Sequence, residues 1–162
     1  MLITGLKCHS DCATCTGPLD SDCITCSSSG SRTLVNGTCQ CKISSSYYYQ
    51  PGTQNCGVNC PANYYKDEES VRCVSPGQCT APKRFASPSN SFCVADCPSG
   101  YYASTQTMKC ETNCGALGQY KYEGASRTCE DVCPNGYIAY PDPSTSNWAC
   151  VQKCPSTYYL KL

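Results

Sequence analysis

The residues whose side chains could do the most chemistry in this sequence are its cysteines. There are 19 of them among 162 residues, about 12% of the chain. Thiols at this density can bind zinc, act as nucleophiles or close disulfide bonds. A cysteine content above roughly 8–10% is typical of a disulfide scaffold. Disulfides persist in oxidising surroundings, so the sequence indicates an extracellular or cell-surface protein that passes through the secretory pathway.

Zinc is the alternative near the N-terminus, where Cys12, Cys15, Cys23 and Cys26 form two C-x2-C pairs. Four thiolates suit tetrahedral Zn²⁺. The segment between the two pairs is shorter than the usual zinc-ribbon spacing, Cys8 lies within four residues of Cys12, and the rest of the chain requires oxidation. We therefore predict disulfides here, with no metal and no cofactor.

The other reactive side chains do not favour catalysis. His9 is the only histidine, and Ser10 and Asp11 are its neighbours in sequence, which does not produce the geometry of a nucleophile, a base and an orienting acid. The acidic run Asp67-Glu68-Glu69 could offer oxygens to Ca²⁺, but three consecutive carboxylates at a hairpin tip cannot all face one ion. The sequence predicts that the chain is not an enzyme.

A repeat organises the cysteines from Cys41 onward. A C-x3-C step recurs, as at Cys93/Cys97 and Cys110/Cys114, and the segments that these steps open begin 17 to 21 residues apart. Each segment carries turn residues, a short β-favouring stretch, a polar tip and a returning stretch, which is the pattern of a β-hairpin. In the first of them, Pro51-Gly52 suits the two central positions of a type II turn.

The repeat predicts that the first and last cysteines of each hairpin pair with each other, as Cys41–Cys56, Cys60–Cys73, Cys79–Cys93, Cys97–Cys110, Cys114–Cys129 and Cys133–Cys150. The alternative, in which each C-x3-C step closes on itself, would leave the hairpin ends unlinked, and the residues alone do not exclude other pairings. Leu, Ile, Val and Phe together number only 20. The predicted fold class is therefore small and disulfide-rich: an elongated ladder of disulfide-clamped β-hairpin modules with almost no hydrophobic core and no substantial helix.

The N-terminal pattern Cys8-x3-Cys12-x2-Cys15-x-Gly17, followed by Cys23-x2-Cys26, resembles the furin-like, or growth-factor-receptor type, cysteine-rich repeat. The later stretch Cys97-Pro-Ser-Gly-Tyr-Tyr102 matches a second element of that family, so the resemblance covers nearly the whole chain. It implies non-catalytic modules and the pairs Cys8–Cys15, Cys12–Cys23 and Cys26–Cys39. Long arrays of this kind look most like the surface proteins of ciliates and other protists.

These patterns divide the chain into three parts. We expect a furin-like module over residues 1–40, an array of six single-disulfide hairpins over 41–153, and the start of a further module over 154–162. Nine pairs use eighteen cysteines and leave Cys154. We expect Cys154 to pair either within a longer chain or with another chain.

Tyrosine is the dominant aromatic residue, with thirteen copies against two Phe and one Trp. Several Tyr pairs begin hairpins, and adjacent strand residues face opposite sides, so one ring can cover a disulfide while the other faces outward. Recurrence at equivalent positions predicts equivalent faces along the array. The expected contact surface comprises Tyr48, Tyr65, Tyr101, Tyr102, Tyr158 and Tyr159.

Charge and short motifs limit the functions and partners that the sequence can support. Twelve basic residues balance twelve acidic ones, so nucleic acid is not an expected partner, and no apolar run is long enough to span a bilayer. Asn36-Gly37-Thr38 is a sequon, so we expect a glycoprotein modified at Asn36.

We predict a non-catalytic structural rod in an extracellular coat, fibre or ciliary appendage that associates with itself or related chains. The alternative is a ligand-binding or adhesive segment of a receptor-like surface protein.

Peptide mapping under non-reducing conditions tests the pairing. We expect fragments that join the nine predicted pairs, because the repeat and the resemblance together account for eighteen cysteines. Recovery of Cys110–Cys114 or Cys129–Cys133 as closed pairs would contradict the hairpin assignment.

Overall fold

The computed structural model describes residues 7–28, 30–142 and 147–153. Across these ranges the chain forms short β-strands and three 3₁₀ turns, Asp20–Asp22, Ile43–Ser45 and Cys114–Leu117, and contains no α-helix. None of the described helical turns is long and apolar enough to cross a membrane. Disulfide-rich β-hairpin repeats, the predicted fold class, are confirmed.

The chain divides into two compact units, Met1–Val74 and Ser75–Leu162. The strands of the first unit are β1 (Cys12–Cys15), β2 (Cys23–Cys26), β3 (Arg32–Val35), β4 (Thr38–Cys41), β5 (Tyr48–Tyr49), β6 (Cys56–Gly57), β7 (Tyr65–Asp67) and β8 (Arg72–Val74). β1 with β2 and β3 with β4 form separate antiparallel hairpins. The other four strands lie in the order β7-β8-β5-β6.

The second unit contains one sheet of four hairpins. Its strands are β9 (Phe85–Ser87), β10 (Phe92–Val94), β11 (Tyr102–Ser104), β12 (Lys109–Glu111), β13 (Tyr120–Glu123), β14 (Arg127–Glu130), β15 (Ile138–Asp142) and β16 (Asn147–Val151). They lie in the order β15-β16-β13-β14-β11-β12-β9-β10. Each hairpin therefore sits beside the hairpin that follows it in sequence.

One register rule governs the junctions between consecutive hairpins. Where such a junction is described, the first-strand residue that lies opposite the closing cysteine of one hairpin also forms a parallel pair with a residue of the next hairpin. That second residue is the one just before the closing cysteine of the next hairpin. Ala103, for example, lies opposite Cys110 and pairs with Thr128, which precedes Cys129. The rule also holds for Tyr49 with Arg72, Ala86 with Lys109, and Lys121 with Ala149.

The register rule makes the closing cysteines alternate between faces. Residues directly opposite in a sheet share a face, and successive residues along a strand face opposite sides. Cys110 and Thr128 both pair with Ala103, so they share a face, and Cys129 points to the other one. Within each unit, two hairpins joined by such a junction are therefore turned over relative to each other.

Left-handed residues in two of the hairpin turns, Val71 and Met108, accept hydrogen bonds from the preceding hairpin. Val71, Ser91 and Met108 have φ values of 56°, 63° and 54°, and each lies two residues before a closing cysteine. The Tyr49 N–H donates to the Val71 carbonyl at 3.0 Å, and the Ala86 N–H donates to the Met108 carbonyl at 2.9 Å. The turn thus presents a carbonyl oxygen to the preceding hairpin.

A different turn closes the Cys41 hairpin. Gly52 has a φ of 66°, and the Thr53 N–H donates to the Gln50 carbonyl at 3.2 Å. This is the type II turn that Pro51-Gly52 predicts.

The core consists mainly of half-cystines. They make up eleven of the sixteen buried hydrophobic residues among the described ones, and Tyr48, Tyr65, Tyr102, Ala86 and Ala103 are the other five. In three hairpins a small polar residue at the end of the first strand is fully buried, at the positions of Asp67, Ser87 and Ser104. These side chains bond to their turns or neighbours; the Ser70 hydroxyl, for example, donates to Asp67 Oδ2 at 2.6 Å.

Replacement of Val71 by Asn should raise stability. Left-handed backbone costs an L-residue roughly 1–2 kcal/mol, Asn tolerates it far better, and a β-branched residue is a true outlier there. We expect Val71→Asn to increase the free energy of unfolding by about 1 kcal/mol, measured by guanidinium denaturation without reductant. Val74→Asn, the same change within β8, should not stabilise; equal effects of the two variants would contradict relief of strain as the cause.

Candidate interaction surfaces

Nine disulfide bonds join the eighteen described cysteines. They are Cys8–Cys15, Cys12–Cys23, Cys26–Cys39, Cys41–Cys56, Cys60–Cys73, Cys79–Cys93, Cys97–Cys110, Cys114–Cys129 and Cys133–Cys150. Cys154 lies outside the described residues. The bond that joins the two ends of a hairpin is called its clamp below.

Aromatic rings cover the clamps of the hairpins that follow them. Phe85 packs against the Cys97–Cys110 clamp, and Tyr102, one hairpin later at the equivalent position, packs against Cys114 and Cys129. An aromatic ring at this position therefore shields the next disulfide from water and fixes the spacing between the two modules.

The four cysteines whose spacing could suggest a zinc site form disulfide bonds instead. Cys12 is bonded to Cys23, Cys15 to Cys8, and Cys26 to Cys39, so these sulfurs are half-cystines. Within the described ranges, no group of three or more His, Cys, Asp or Glu side chains is arranged to hold a metal ion.

The acidic hairpin tip does not converge on one point. Asp67 is buried and accepts a hydrogen bond from Ser70, whereas Glu68 and Glu69 are exposed. The three carboxylates therefore occupy different environments.

The neighbours of His9 have structural contacts. His9 Nδ1 lies 3.7 Å from Asp11 Oδ2, and Asp11 Oδ1 lies 3.2 Å from Arg32 Nη2. Arg32 is buried, and its Nη1 donates to the Cys39 carbonyl at 3.0 Å. Asp11 thus neutralises a buried guanidinium within the N-terminal module.

Asn36 lies on the tip of the β3–β4 hairpin. Asn36 and Gly37 have φ values of 48° and 79°, the two positive values that a type I′ turn requires. The Asn36 side chain is exposed, so its accessibility is compatible with modification. Asn-Gly between two β-favouring stretches is also a hairpin signal in the sequence, and it was not among the predicted features.

The expected tyrosine contact surface is wrong for three of its members. Tyr48, Tyr65 and Tyr102 are only 2%, 8% and 7% exposed within the chain itself, while Tyr101 is half-buried. With few aliphatic residues available, these rings are the largest apolar groups that can cover the disulfides. Outside the described residues lie Tyr158 and Tyr159.

Equivalent positions also fail to display equivalent faces. Ser104 pairs with Cys129 and Lys121 lies opposite Cys129, so all three share a face. Tyr102 lies two residues before Ser104 and is on that face, whereas Tyr120 adjoins Lys121 and is on the other. The expectation of one repeated tyrosine face is therefore wrong in the second unit, because successive hairpins are turned over.

A charged groove occupies the Tyr102 face of the second unit. It has a volume of about 290 Å³, and its lining includes Tyr102, Lys121, Glu123, Tyr140 and Asp142. The Tyr102 hydroxyl donates to Glu123 Oε1, and the Lys121 ammonium lies 5.4 Å from the Tyr102 ring centroid. Burial, followed by the hydrogen bond to Glu123, raises the pKa of Tyr102 to about 12.

The opposite face of the same unit carries two aromatic pairs. The rings of Tyr120 and Trp148 meet edge-to-face with centroids 6.3 Å apart, and those of Tyr122 and Tyr137 do so at 4.9 Å. Trp148 remains 48% exposed. The alternation Tyr120-x-Tyr122 indicates one face of a strand in the sequence, but the approach of Trp148 to that face depends on the register between hairpins and was not predicted.

Alkaline titration tests the Tyr102–Glu123 contact. Because the folded pKa of Tyr102 lies above the ordinary value of 10, its contribution to stability is present below pH 10 and is lost as the pH rises through about 12. We expect Tyr102→Phe to remove one ionisation near pH 12 from the absorbance at 295 nm. Glu123→Gln should move that ionisation towards pH 10, and an unchanged titration in both variants would contradict the assignment.

Comparison with known proteins gives a partial match. No family model matches the chain. Over 67 residues, or 41% of its length, the chain is 37% identical to Furin-like protease 2 of Drosophila melanogaster, and the match spans 3% of that protein. With its nine disulfides and repeated hairpins, the chain is a cysteine-rich repeat protein that is similar, over part of its length, to Furin-like protease 2.

Proposed function

We propose that this chain is a non-catalytic structural segment of an extracellular or cell-surface assembly such as a coat, a fibre or a ciliary appendage. The observation that carries the proposal is a repeated module: a hairpin closed by a disulfide and joined to the next hairpin of its unit by a short strand pairing. Every hairpin between Cys41 and Cys150 is closed by its own disulfide, and hairpins within each unit are joined in one register. Modules that contact only their neighbours suit a spacer, because the array can be built to any length.

The reactive side chains support a structural role. Asp11 is engaged with Arg32, the Tyr102 hydroxyl is bonded to Glu123, and eighteen cysteines are half-cystines. Disulfides at this density are stable in oxidising compartments, which supports an extracellular location. We propose no catalytic role, since these groups hold the fold together rather than facing a common point.

Association with copies of itself or with related chains is part of the proposal. The equal numbers of acidic and basic residues leave little long-range repulsion between copies. The Tyr120–Trp148 pair provides an exposed aromatic surface, and Trp and Tyr are the residues that most often dominate binding energy at protein interfaces.

Sedimentation velocity of the oxidised chain over a wide range of concentrations tests this association. We expect species larger than a monomer at high concentration, and we expect Trp148→Ala to weaken association by about tenfold or more, since loss of a central aromatic contact costs at least ~1.4 kcal/mol. Leu19→Ala is the matched control, because Leu19 is 61% exposed and lies in the other unit.

A monomer at every concentration would contradict self-association. It would favour the second candidate function, a ligand-binding or adhesive segment of a receptor-like surface protein. The observation that favours this alternative is the groove between Tyr102 and Tyr140, where carboxylates and an ammonium group lie beside aromatic rings.

A further inference from the structure

Strand β15 is an edge of the second unit's sheet. Among the residues that the structure describes, β15 is hydrogen-bonded to β16 on one side, and no strand follows it in the order of this unit. In every other first strand for which a junction is described, the outer side receives the closing strand of the next hairpin. The register rule therefore specifies what β15 is built to receive.

The outward-facing groups of β15 follow from its register. Ala139 lies opposite Cys150, the closing cysteine of its hairpin, and so occupies the position that Tyr49 and Ala86 hold in theirs. The N–H groups of Tyr49 and Ala86 point away from their own hairpins and donate to the next one. By the same geometry, the Ala139 N–H faces away from β16.

Pro141 limits this edge to a short junction. Alternate residues of a strand direct their N–H groups to the same side, so the nitrogen of Pro141 faces outward together with that of Ala139. Proline has no N–H and is confined to edge strands or bulges of sheets. The β15 edge can thus form a junction at Ala139, but Pro141 prevents that junction from extending along the strand. The same proline protects the edge from open-ended strand pairing.

At the edge strand β6 of the first unit, a side chain occupies the hydrogen-bonding position that a neighbouring hairpin would otherwise fill. The carbonyl that should accept from a preceding hairpin lies two residues before the closing Cys56, at Gln54. Arg32 Nη2 donates to that carbonyl, and Arg32 is itself buried and paired with Asp11. The guanidinium therefore takes the place of a backbone N–H and caps the β6 edge, whereas no described side chain bonds to Ala139.

We propose that β15 is a docking edge for the closing strand of one further cysteine-clamped hairpin, the one that Cys154 opens. Cys150 and Cys154 are separated by the same C-x3-C step as Cys129 and Cys133, and the described junctions between consecutive hairpins share one register. The Ala139 N–H would donate to the carbonyl two residues before the new closing cysteine. This inference concerns the edge alone and does not depend on the proposed structural role.

A chain with a completed seventh hairpin tests the proposal. Residues 160–162 are replaced by Ala-Ser-Thr-Gln-Thr-Met-Lys-Cys, the sequence of residues 103–110, so that the new hairpin has the spacing of Cys97–Cys110. The chain is folded with oxidised glutathione, which accepts two electrons and two protons from Cys154 and the added cysteine as their disulfide forms. We expect the Ala139 amide to exchange with deuterium at least tenfold more slowly than in the 162-residue chain.

Two substitutions in the extended chain separate docking from simple hairpin formation. Ala139→Pro removes the outward donor but leaves the hydrogen bonds to β16, so the added hairpin should keep its disulfide and lose its amide protection. Ala139→Ser retains the N–H and should keep that protection.

Three results would overturn the proposal. The first is an Ala139 exchange rate that the added hairpin leaves unchanged, a result that stands even if Ala139→Pro does not fold. The second is equal protection of the added hairpin in Ala139→Pro and Ala139→Ser. The third is protection that appears only in dimers, because the closing strand would then come from a second copy. Exchange is measured separately on the isolated monomer and dimer fractions, apart from the self-association experiment.

Discussion

The disulfide clamp across each hairpin is the interaction on which the rest of this structure depends. Two- to five-residue strands cannot hold a hairpin together in water, and most buried hydrophobic positions are the half-cystines themselves. Closing a loop of about 15 residues stabilises a fold by roughly 3 kcal/mol in the chain-entropy model. The clamp therefore supplies locally what a large apolar core supplies in an ordinary domain.

The clamps also explain why such short junctions are specific. Because the two strands of each hairpin are already aligned, a neighbouring hairpin needs only one or two residue pairs to be positioned, as Ala86 with Lys109 shows. The aromatic ring of one hairpin then packs on the clamp of the next, as with Tyr102 on Cys129. Backbone register and ring packing thus reinforce the same spacing.

The turned-over arrangement of successive hairpins determines what each face can offer. In the second unit, one face gathers Tyr102, Lys121 and Glu123 around a charged groove. The other face carries the edge-to-face pair of Tyr120 and Trp148, in which Trp148 is exposed. Residues at equivalent sequence positions, such as Tyr102 and Tyr120, therefore lie on different faces and have different neighbours. An array of nearly identical modules can in this way present two chemically distinct surfaces.

The sequence by itself determined the disulfide-rich hairpin class and the Pro51-Gly52 turn, because cysteine spacing and turn residues act over a few neighbouring positions. Only the tertiary structure decided which tyrosines are buried, which face each ring occupies, and that Arg32 caps the Gln54 carbonyl. Those features depend on the register between hairpins, where a shift of one residue exchanges the two faces of a strand.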